Sequence, residues 1–264
     1  MPKTISFIGT GKMAAALISC IHKNNLAKTI IVSDKNEDNL KNIKKQFRIK
    51  TTNNNKEAVK NSDIVFICVK PQNIDEVLKE IKNNIKNQLV VSIAAGIKTK
   101  HIEKIIGKKR IIRVMPNINC LVSEMAAGFC AGKYATKDDI NIVSKLLNSA
   151  GISFCLDENL LDAVTAVSGS GPAFFAYFIQ AIAEAGIKNG LPKDVALKLA
   201  SQTASGTGKL LLEKNISPDE LIAMVASKKG TTIAGLSVLK SHKVKNSLIK
   251  AIDAAVKRSK ELGK

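Results

Sequence analysis

A glycine-rich turn near the N-terminus constrains the fold more than any other feature of this 264-residue chain. The residues Thr4–Gly9 alternate and then become apolar, which predicts a short buried strand ending in glycine. Met13–Ile21 has helical spacing, so strand, turn and helix follow one another directly. The turn reads Gly9-Thr10-Gly11-Lys12-Met13-Ala14. Such glycines let a backbone approach a pyrophosphate at a helix N-terminus, so we expect a dinucleotide site; a tight turn without ligand is the alternative.

Alternating strands and helices continue to about residue 157. The near-continuous apolar run Asp63–Val69 is typical of a parallel strand that is covered on both faces. Further strands are predicted over 29–33, 48–51, 89–93, 110–114 and 152–156, with helices over 37–46 and 74–85. This alternation predicts an α/β fold, a Rossmann-type domain over residues 1–157 with a parallel sheet.

The second part of the chain, residues 158–264, is almost wholly helical in pattern. Ser217-Pro218-Asp219-Glu220 is a strong helix start, with serine at the N-cap and proline in the first turn. Residues 162–260 are richer in Ala, Leu, Ile and Val than a small appended bundle needs for its own core. We therefore predict an all-α domain that buries its surplus apolar surface against a partner subunit, over more than ~2,000 Å².

Several polar or glycine-bearing turns follow predicted strands. Ligands of open parallel sheets bind beyond the carboxyl ends of the strands. We therefore expect three of these turns to face one crevice and to suit a flat nicotinamide: Val69-Lys70-Pro71-Gln72, Ser92–Ile97 and Arg113–Asn117. Ser33-Asp34-Lys35-Asn36 ends the second strand. Its acid favours the ribose 2′-OH of NAD and its lysine a 2′-phosphate, so both NADH and NADPH stay open.

Two later segments place small or hydroxyl residues at predicted helix starts. Ser168-Gly169-Ser170-Gly171-Pro172-Ala173 permits close backbone approach. Lys229–Leu236 contains Gly230-Thr231-Thr232, which can present N–H groups and hydroxyls to a carboxylate. Taken in isolation, the second segment is better explained as a plain helix cap.

Other features narrow the function. The histidines and the five cysteines show no metal-ligand spacing, so no metal is expected; Cys20, Cys68 and Cys155 lie in apolar stretches and are predicted to be core residues. The net charge is +19, but only four of the 41 basic residues are arginine and tryptophan is absent, which disfavours nucleic-acid binding. The apolar runs are short for a membrane span and the N-terminus enters a strand directly. We expect a cytoplasmic protein with neither nucleic-acid nor membrane partners.

Taken together, these motifs resemble those of the pyrroline-5-carboxylate reductase family in order and spacing. The match runs nearly end to end, and the Ser-Gly-Ser-Gly-Pro-Ala and Gly-Thr-Thr-Ile strings are its most specific parts. The matching segments are Phe7–Ala16, Asn55-Lys56-Glu57, 69–72, 92–97, 113–117, Asp162-Ala163-Val164-Thr165, 168–173 and 230–236.

The resemblance implies an NAD(P)H-dependent reductase that converts 1-pyrroline-5-carboxylate to L-proline, the last step of proline biosynthesis. It implies a Rossmann domain followed by an all-α dimerisation and substrate domain, with homodimers assembling into a decamer. The cofactor, NADPH or NADH, is then bound by Ile8, Gly9, Thr10, Gly11, Lys12, Met13, Asp34, Asn36, Asn55, Val69, Lys70, Pro71 and Ala95. The substrate lies against Gly230, Thr231 and Thr232, beside the cofactor of the partner subunit.

The resemblance also suggests how the reaction proceeds. Thr232 and Lys70 are the candidate catalytic residues: the Thr232 hydroxyl is expected to bind the ring nitrogen, and the N–H groups of Gly230 and Thr231 the carboxylate. The chain departs from the family pattern at Lys228-Lys229, where the family has Pro-Gly, and at 118–119 and 123–125. These departures bear on loop shape more than on reaction class.

Two alternatives stay open. One is a related reductase for another imine or for a hydroxy acid, which would need a proton-transferring group such as Lys188 or Lys209 in the helical part. The other is a basic binding protein without enzymatic activity.

Overall fold

The computed structural model of the protein describes residues 3–263. The chain forms two compact units. The first contains the described residues up to Ser170 together with those from Ala255 onward, and the second is Gly171–Ala254. The boundary predicted at residue 157 thus precedes the end of the first unit at Ser170. The first unit also includes the described residues from Ala255 onward.

The first unit is built on one eight-stranded sheet. Its strands are β1 Lys3–Ile8, β2 Ala27–Ser33, β3 Lys50–Thr52, β4 Ile64–Ile67, β5 Leu89–Ser92, β6 Ile111–Met115, β7 Met125–Ala131 and β8 Gly151–Cys155. They lie in the order β3-β2-β1-β4-β5-β6-β7-β8, and neighbouring strands from β3 to β6 are parallel. The strand order reverses direction after β1, between β1 and β4, as in a doubly wound nucleotide-binding fold.

The last two strands correct the expectation of a wholly parallel sheet. Strand β7 pairs antiparallel with β6, and β8 pairs parallel with β7, so both run against the other six. Only residues 116–124, with a short 3-10 helix, connect β6 to β7. That connection is too short for a crossover to a parallel neighbour, which usually takes a dozen or more residues.

Helices cover both faces of the sheet. In the first unit they are α1 Lys12–Lys23, α2 Glu37–Phe47, α3 Asn55–Lys60, α4 Ile74–Ile81, α5 Thr99–Ile106, α6 Lys137–Asn148 and α7 Leu161–Val164. Successive residues of β1 belong to different apolar clusters: Phe7 to the cluster that contains Leu17 of α1, and Ile8 to the cluster that contains Leu78 of α4. The ring of Phe7 also stacks on that of Phe66 of β4, with 4.8 Å between the ring centroids. Burial on both faces explains why these strands read as continuous apolar runs.

The second unit has little core of its own. It contains α8 Gly171–Lys188, α9 Lys193–Lys214, α10 Pro218–Val225, α11 Thr231–Ser241 and the first part of α12 Val244–Leu262. Its buried apolar cluster consists of the three alanines Ala183, Ala196 and Ala200. Large apolar side chains lie exposed instead, including Phe175 (67%), Tyr177 (72%) and Leu212 (70%). The unit therefore presents apolar surface that its own helices do not cover.

Within residues 3–263, one helical run, Glu158–Lys188, is long and apolar enough to cross a membrane by length and composition alone. Helices that become buried in a soluble protein have the same length and composition, so this property does not assign it to a membrane. Residues 165–169 of the run form a π-helical turn, in which the Ser170 N–H donates to the Thr165 carbonyl oxygen at 2.8 Å. Helix α8 begins at Gly171, directly after this turn, so Pro172 lies in the first turn of a helix as predicted for the 168–173 segment.

Candidate functional site

The two glycines of the first turn have different structural roles. Gly9 has φ +95°, and a Cβ there would lie 3.0 Å from the carbonyl carbon and oxygen of Cys68. Gly9 also donates its N–H to the Ser33 carbonyl oxygen at 2.8 Å, so the fold itself requires this glycine. Gly11 has φ −62°, and a Cβ there would have no neighbour within 4 Å. The space in front of Gly11 is therefore open.

Helix α1 begins at this open space. Gly11 is its N-cap and makes no side-chain cap hydrogen bond, so the N–H groups of the first turn face outward without a capping group. The opposite side of α1 is anchored by the buried Leu17, Ile18 and Ile21. A rigid helix N-terminus of this kind, with a glycine that leaves room for close approach, fits a dinucleotide pyrophosphate.

The end of β2 is joined to the glycine turn through Asp34. The Thr10 N–H donates to Asp34 Oδ2 at 2.9 Å, and the Thr10 hydroxyl donates to the same oxygen. The Asn36 N–H donates to Asp34 Oδ1 at 2.8 Å. The Asn36 side chain caps α2 by accepting from the N–H groups of Asp38 and Asn39. Asp34 and Asn36 therefore lie at the end of β2, and each side chain accepts hydrogen bonds from backbone N–H groups.

Asn55, which was predicted to line the adenosine side, is the buried first residue of α3. Its Oδ1 accepts from the Ser33 hydroxyl at 2.7 Å, and its Nδ2 donates to Glu80 Oε2 at 2.9 Å. This chain of hydrogen bonds ties the end of β2 to α3 and α4. Through its bond to Ser33, Asn55 thus helps to fix the position of the adjacent Asp34.

The turn after β4 lies at the same edge of the sheet as the glycine turn. The Cys68 N–H donates to the Ile8 carbonyl oxygen at 2.8 Å, which extends the β1–β4 pairing to the start of the turn. Val69 is partly buried, whereas Lys70 and Pro71 are exposed and begin a 3-10 turn. Ala95, after β5, is exposed as well. The structure therefore brings residues 9–13, 34–36, 69–71 and 95 to one carboxyl edge.

The third predicted crevice turn, Arg113–Asn117, is a structural junction. The side chain of Arg113 is buried and pairs with Glu158 at 3.3 Å. Glu158 also accepts from the N–H and hydroxyl of Thr99, at 2.7 and 2.9 Å. Asn117 is buried and donates to the Ser168 carbonyl oxygen at 3.2 Å. The sequence predicted that this turn faces the crevice; the side chains of Arg113 and Asn117 themselves hold β6 to its neighbours.

The 227–232 segment of the second unit forms a turn and a helix start. Gly230 is the N-cap of α11, and its own N–H donates to the Ser227 carbonyl oxygen at 2.9 Å. The expectation that the Gly230 N–H binds a carboxylate is therefore wrong, because this donor is used in the turn. Thr231 is exposed and Thr232 is partly exposed, and α11 has no side-chain cap bond. The first-turn N–H groups of α11 therefore have no side-chain cap, and the side chains of Thr231 and Thr232 are both at least partly accessible.

Lys229 adopts a left-handed conformation, with φ +62°. Lys228-Lys229 replaces Pro-Gly of the family pattern, yet the hydrogen-bonded turn that glycine would favour is retained. The substitution therefore changes the charge of the turn without abolishing its shape.

The titratable groups near these segments show no metal-type cluster. Within residues 3–263, no group of three or more His, Cys, Asp or Glu side chains is placed to hold a metal ion. Burial raises the pKa of the Cys68 thiol well above its usual value, and raises that of Cys120 to about 12. Both thiols are therefore protonated at neutral pH and are unsuited to nucleophilic chemistry.

Comparison with known proteins gives matches over the whole chain. Residues 158–262 match the family described as pyrroline-5-carboxylate reductase dimerisation, and residues 4–96 match the family described as NADP oxidoreductase, coenzyme F420-dependent. The chain is 40% identical over 264 residues to pyrroline-5-carboxylate reductase of Methanosarcina acetivorans, covering 98% of each chain.

Solved structures give the same result. The chain matches a pyrroline-5-carboxylate reductase of Coxiella burnetii with a TM-score of 0.96 and 34% identity, over 100% of both chains. It matches the Plasmodium falciparum pyrroline carboxylate reductase, solved with NADP bound, with a TM-score of 0.88 and 30% identity over 99% of this chain and 98% of that one. The similarity thus includes the helical unit as well as the nucleotide-binding fold.

Proposed function

Because the chain belongs to the pyrroline-5-carboxylate reductase family, we propose that the carboxyl edge of its sheet holds the reduced nicotinamide cofactor for that reaction. The protein is an NAD(P)H-dependent oxidoreductase that reduces 1-pyrroline-5-carboxylate to L-proline, the last step of proline biosynthesis. The observation that carries the site assignment is the open N-terminus of α1 at Gly11, with Asp34 fixed beside it.

The cofactor site is proposed in three parts. Ile8–Met13 and the first turn of α1 bind the pyrophosphate through backbone N–H groups. Asp34 and Asn36 border the adenosine ribose, with Asn55 supporting them through its bond to Ser33. Val69, Lys70, Pro71 and Ala95 line the nicotinamide, which their exposure at the strand ends permits. When bound, the reduced cofactor supplies the hydride that the cyclic imine carbon accepts.

The substrate is proposed to bind at the start of α11. The N–H groups of Thr231 and Thr232, at the positive end of the helix dipole, suit its carboxylate. The Thr232 hydroxyl suits the ring nitrogen and helps to hold the imine proton there. Gly230 contributes the tight turn and Lys229 a nearby positive charge. The imine is already electrophilic, so orientation supplies most of the acceleration.

Lys70 is the second candidate catalytic group. It lies exposed directly after β4, at the edge proposed for the nicotinamide. Its charge is placed to favour approach of an anionic substrate toward that edge.

We also propose that the chain acts as a homodimer that assembles into a cytoplasmic decamer. The second unit matches a dimerisation family and leaves Phe175, Tyr177 and Leu212 exposed. A partner subunit would bury these side chains, and it would also cover the apolar face of the 158–188 helical run. With that apolar face covered by protein, the helical run does not need a membrane to remove it from water.

Steady-state kinetics tests the activity directly. Purified protein is expected to oxidise NADH or NADPH only when pyrroline-5-carboxylate is present, with and without EDTA at the same rate. Turnover with another cyclic imine or a 2-keto acid in its place would favour the related-reductase alternative. No turnover with either cofactor would favour the non-enzymatic alternative, and loss of activity on chelation would contradict the metal-free mechanism.

A further inference from the structure

The Asp34 carboxylate has a fixed orientation at the proposed ribose position. Three hydrogen bonds hold it, from the Thr10 N–H, the Thr10 hydroxyl and the Asn36 N–H. An incoming group that repelled the carboxylate would have to break these bonds in order to displace it. Asp34 Oδ1 receives one of them, so it keeps a lone pair with which it can accept from a ribose hydroxyl.

The basic residue of this turn, Lys35, faces an acidic neighbour. Its Nζ lies 2.6 Å from Glu76 Oε1 on α4, and the hydrogen bond and charge of Glu76 raise the Lys35 pKa above its usual value. Glu80, one turn further along α4, adds to this effect. The ion pair is exposed, at 70% and 68%, so it can open. Moving Lys35 to a phosphate would nevertheless leave Asp34, Glu76 and Glu80 with less compensating charge.

The remaining polar side chains around the turn are also engaged within the protein. The Asn36 side chain oxygen caps α2, and the Ser33 hydroxyl donates to Asn55. The other end of the Asn55 amide donates to Glu80. Neither Ser33 nor Asn55 therefore offers its donor to a 2′-phosphate without giving up a buried bond.

We propose that Asp34 makes this chain select NADH over NADPH, with the 2′-hydroxyl of the adenosine ribose donating to its carboxylate. A 2′-phosphate at that position has no proton to donate and carries charge of the same sign. The proposal rests on the cofactor position given above, at the Gly9–Met13 turn. It assigns the selection to Asp34 and not to Lys35, two residues whose opposing signals the sequence left open.

Direct binding of the two cofactors to the full-length protein, without substrate, tests the proposal. Titration followed by cofactor fluorescence is expected to give a dissociation constant for NADPH about 10-fold or more above that for NADH, as for loss of one hydrogen bond to a charged group. Equal binding, or tighter binding of NADPH, would overturn the selection while leaving the cofactor site in place. Absence of binding by both would overturn the site itself.

Substitutions assign the effect to Asp34. Asp34→Asn keeps the shape of the side chain, and Asp34→Ser shortens it. Both remove the charge, so both should decrease the ratio of the NADPH dissociation constant to the NADH dissociation constant several-fold. Asp38→Asn removes an exposed acid on α2 whose side chain contacts Lys41, and should leave the ratio unchanged. A thermal melt of each variant checks folding. An unchanged ratio in a folded Asp34→Asn protein would contradict the role of Asp34, as would an equal change in Asp38→Asn.

Discussion

The Asn117 side chain donates to the carbonyl oxygen of Ser168 at 3.2 Å. In a regular helix that carbonyl would accept from the N–H of residue 172, which is a proline and has none. The Asn117 Oδ1 also accepts from the Ala126 N–H at 3.2 Å. One buried amide therefore satisfies two backbone groups, at the π-helical turn and at the start of β7.

Asn117→Ala is expected to destabilise the protein by about 1–3 kcal/mol, because it leaves buried backbone groups without partners. For a chain of this size that corresponds to a decrease in Tm of several degrees. Differential scanning calorimetry at fixed protein concentration measures the change. Asn119→Ala, at an exposed position in the same connection, serves as the control and should have almost no effect.

Substitution of Gly9 should decrease the stability of the fold, whereas substitution of Gly11 should decrease the affinity for the cofactor. Gly9→Ala introduces a Cβ at 3.0 Å from the Cys68 backbone at a positive φ, so it should lower the Tm. Gly11→Val places its side chain in open space at an ordinary φ, so the fold should persist while the cofactor dissociation constant rises by about 10-fold or more. Melting curves and cofactor titration of both variants separate the effects. Normal cofactor affinity in Gly11→Val would make the turn purely structural.

Thr232→Ala should decrease kcat/KM for pyrroline-5-carboxylate by roughly 10- to 150-fold, the effect of losing about 1.5–3 kcal/mol of hydrogen bonding to a charged group. Cofactor affinity measured without substrate should be unchanged. Thr232→Ser keeps the hydroxyl and should retain most of the activity, and Thr231→Ala keeps the backbone N–H and should have the smaller effect of the two alanine variants. A fully active Thr232→Ala enzyme would reduce the residue to part of a helix start.

Phe175→Glu should weaken assembly, because it places a charge on an exposed apolar surface that a partner subunit is proposed to cover. Light scattering at micromolar concentration should show the wild-type chain as a dimer or larger and the variant shifted toward monomer. Asn83→Glu adds the same charge at an exposed position of the first unit and should assemble normally. A fully active wild-type monomer would refute the dimer.

Cys155 should be the thiol that a disulfide reagent modifies first in the folded protein, ahead of the partly buried Cys68. It is exposed at the end of β8, whereas Cys20, Cys120 and Cys130 are buried, so the expectation that Cys155 is a core residue is wrong. Partial burial, with a smaller contribution from the charge of Asp157, raises the Cys155 pKa above its usual value. Its reaction at pH 8 should therefore be slower than that of free cysteine. Cys155→Ser should abolish it, and rapid modification that persists in this variant would contradict the assignment.

The sequence predicted the elements that have a strong periodic or apolar pattern. Strands β1, β2, β4, β5, β6 and β8 lie within a few residues of the predicted ranges, and the helix over 12–23 includes the predicted 13–21. Strand β7 was missed because its sequence, Met-Ala-Ala-Gly-Phe-Cys-Ala, lacks β-branched residues. Its small residues are explained by packing: a Cβ at Gly128 would lie 2.7 Å from Val164 Cγ2 of α7.

The candidate site was predictable where a local motif dictates the backbone and not where a distant partner decides. The G-x-G-x-x-A turn placed Gly9 and Gly11 correctly at the start of α1. Arg113 in an apolar strand indicates a buried ion pair, but its partner Glu158 lies 45 residues away and no local pattern identifies it. The sequence predicts that Asp34 borders the ribose, but the three donors that hold its carboxylate are visible only in the structure. Partner choice over long sequence separation is a property of the packed chain.

The three-alanine core of the second unit has a consequence for how the protein behaves when it is scarce. If a second chain completes that core, folding of the helical unit and association become one equilibrium, and its position obeys mass action. Dilution would then favour the unfolded or partly folded chain even at constant temperature. Each tenfold decrease in chain concentration removes about 1.4 kcal/mol per mole of dimer from the balance. The amount of protein that a cell makes would thus help to set how much of it is folded.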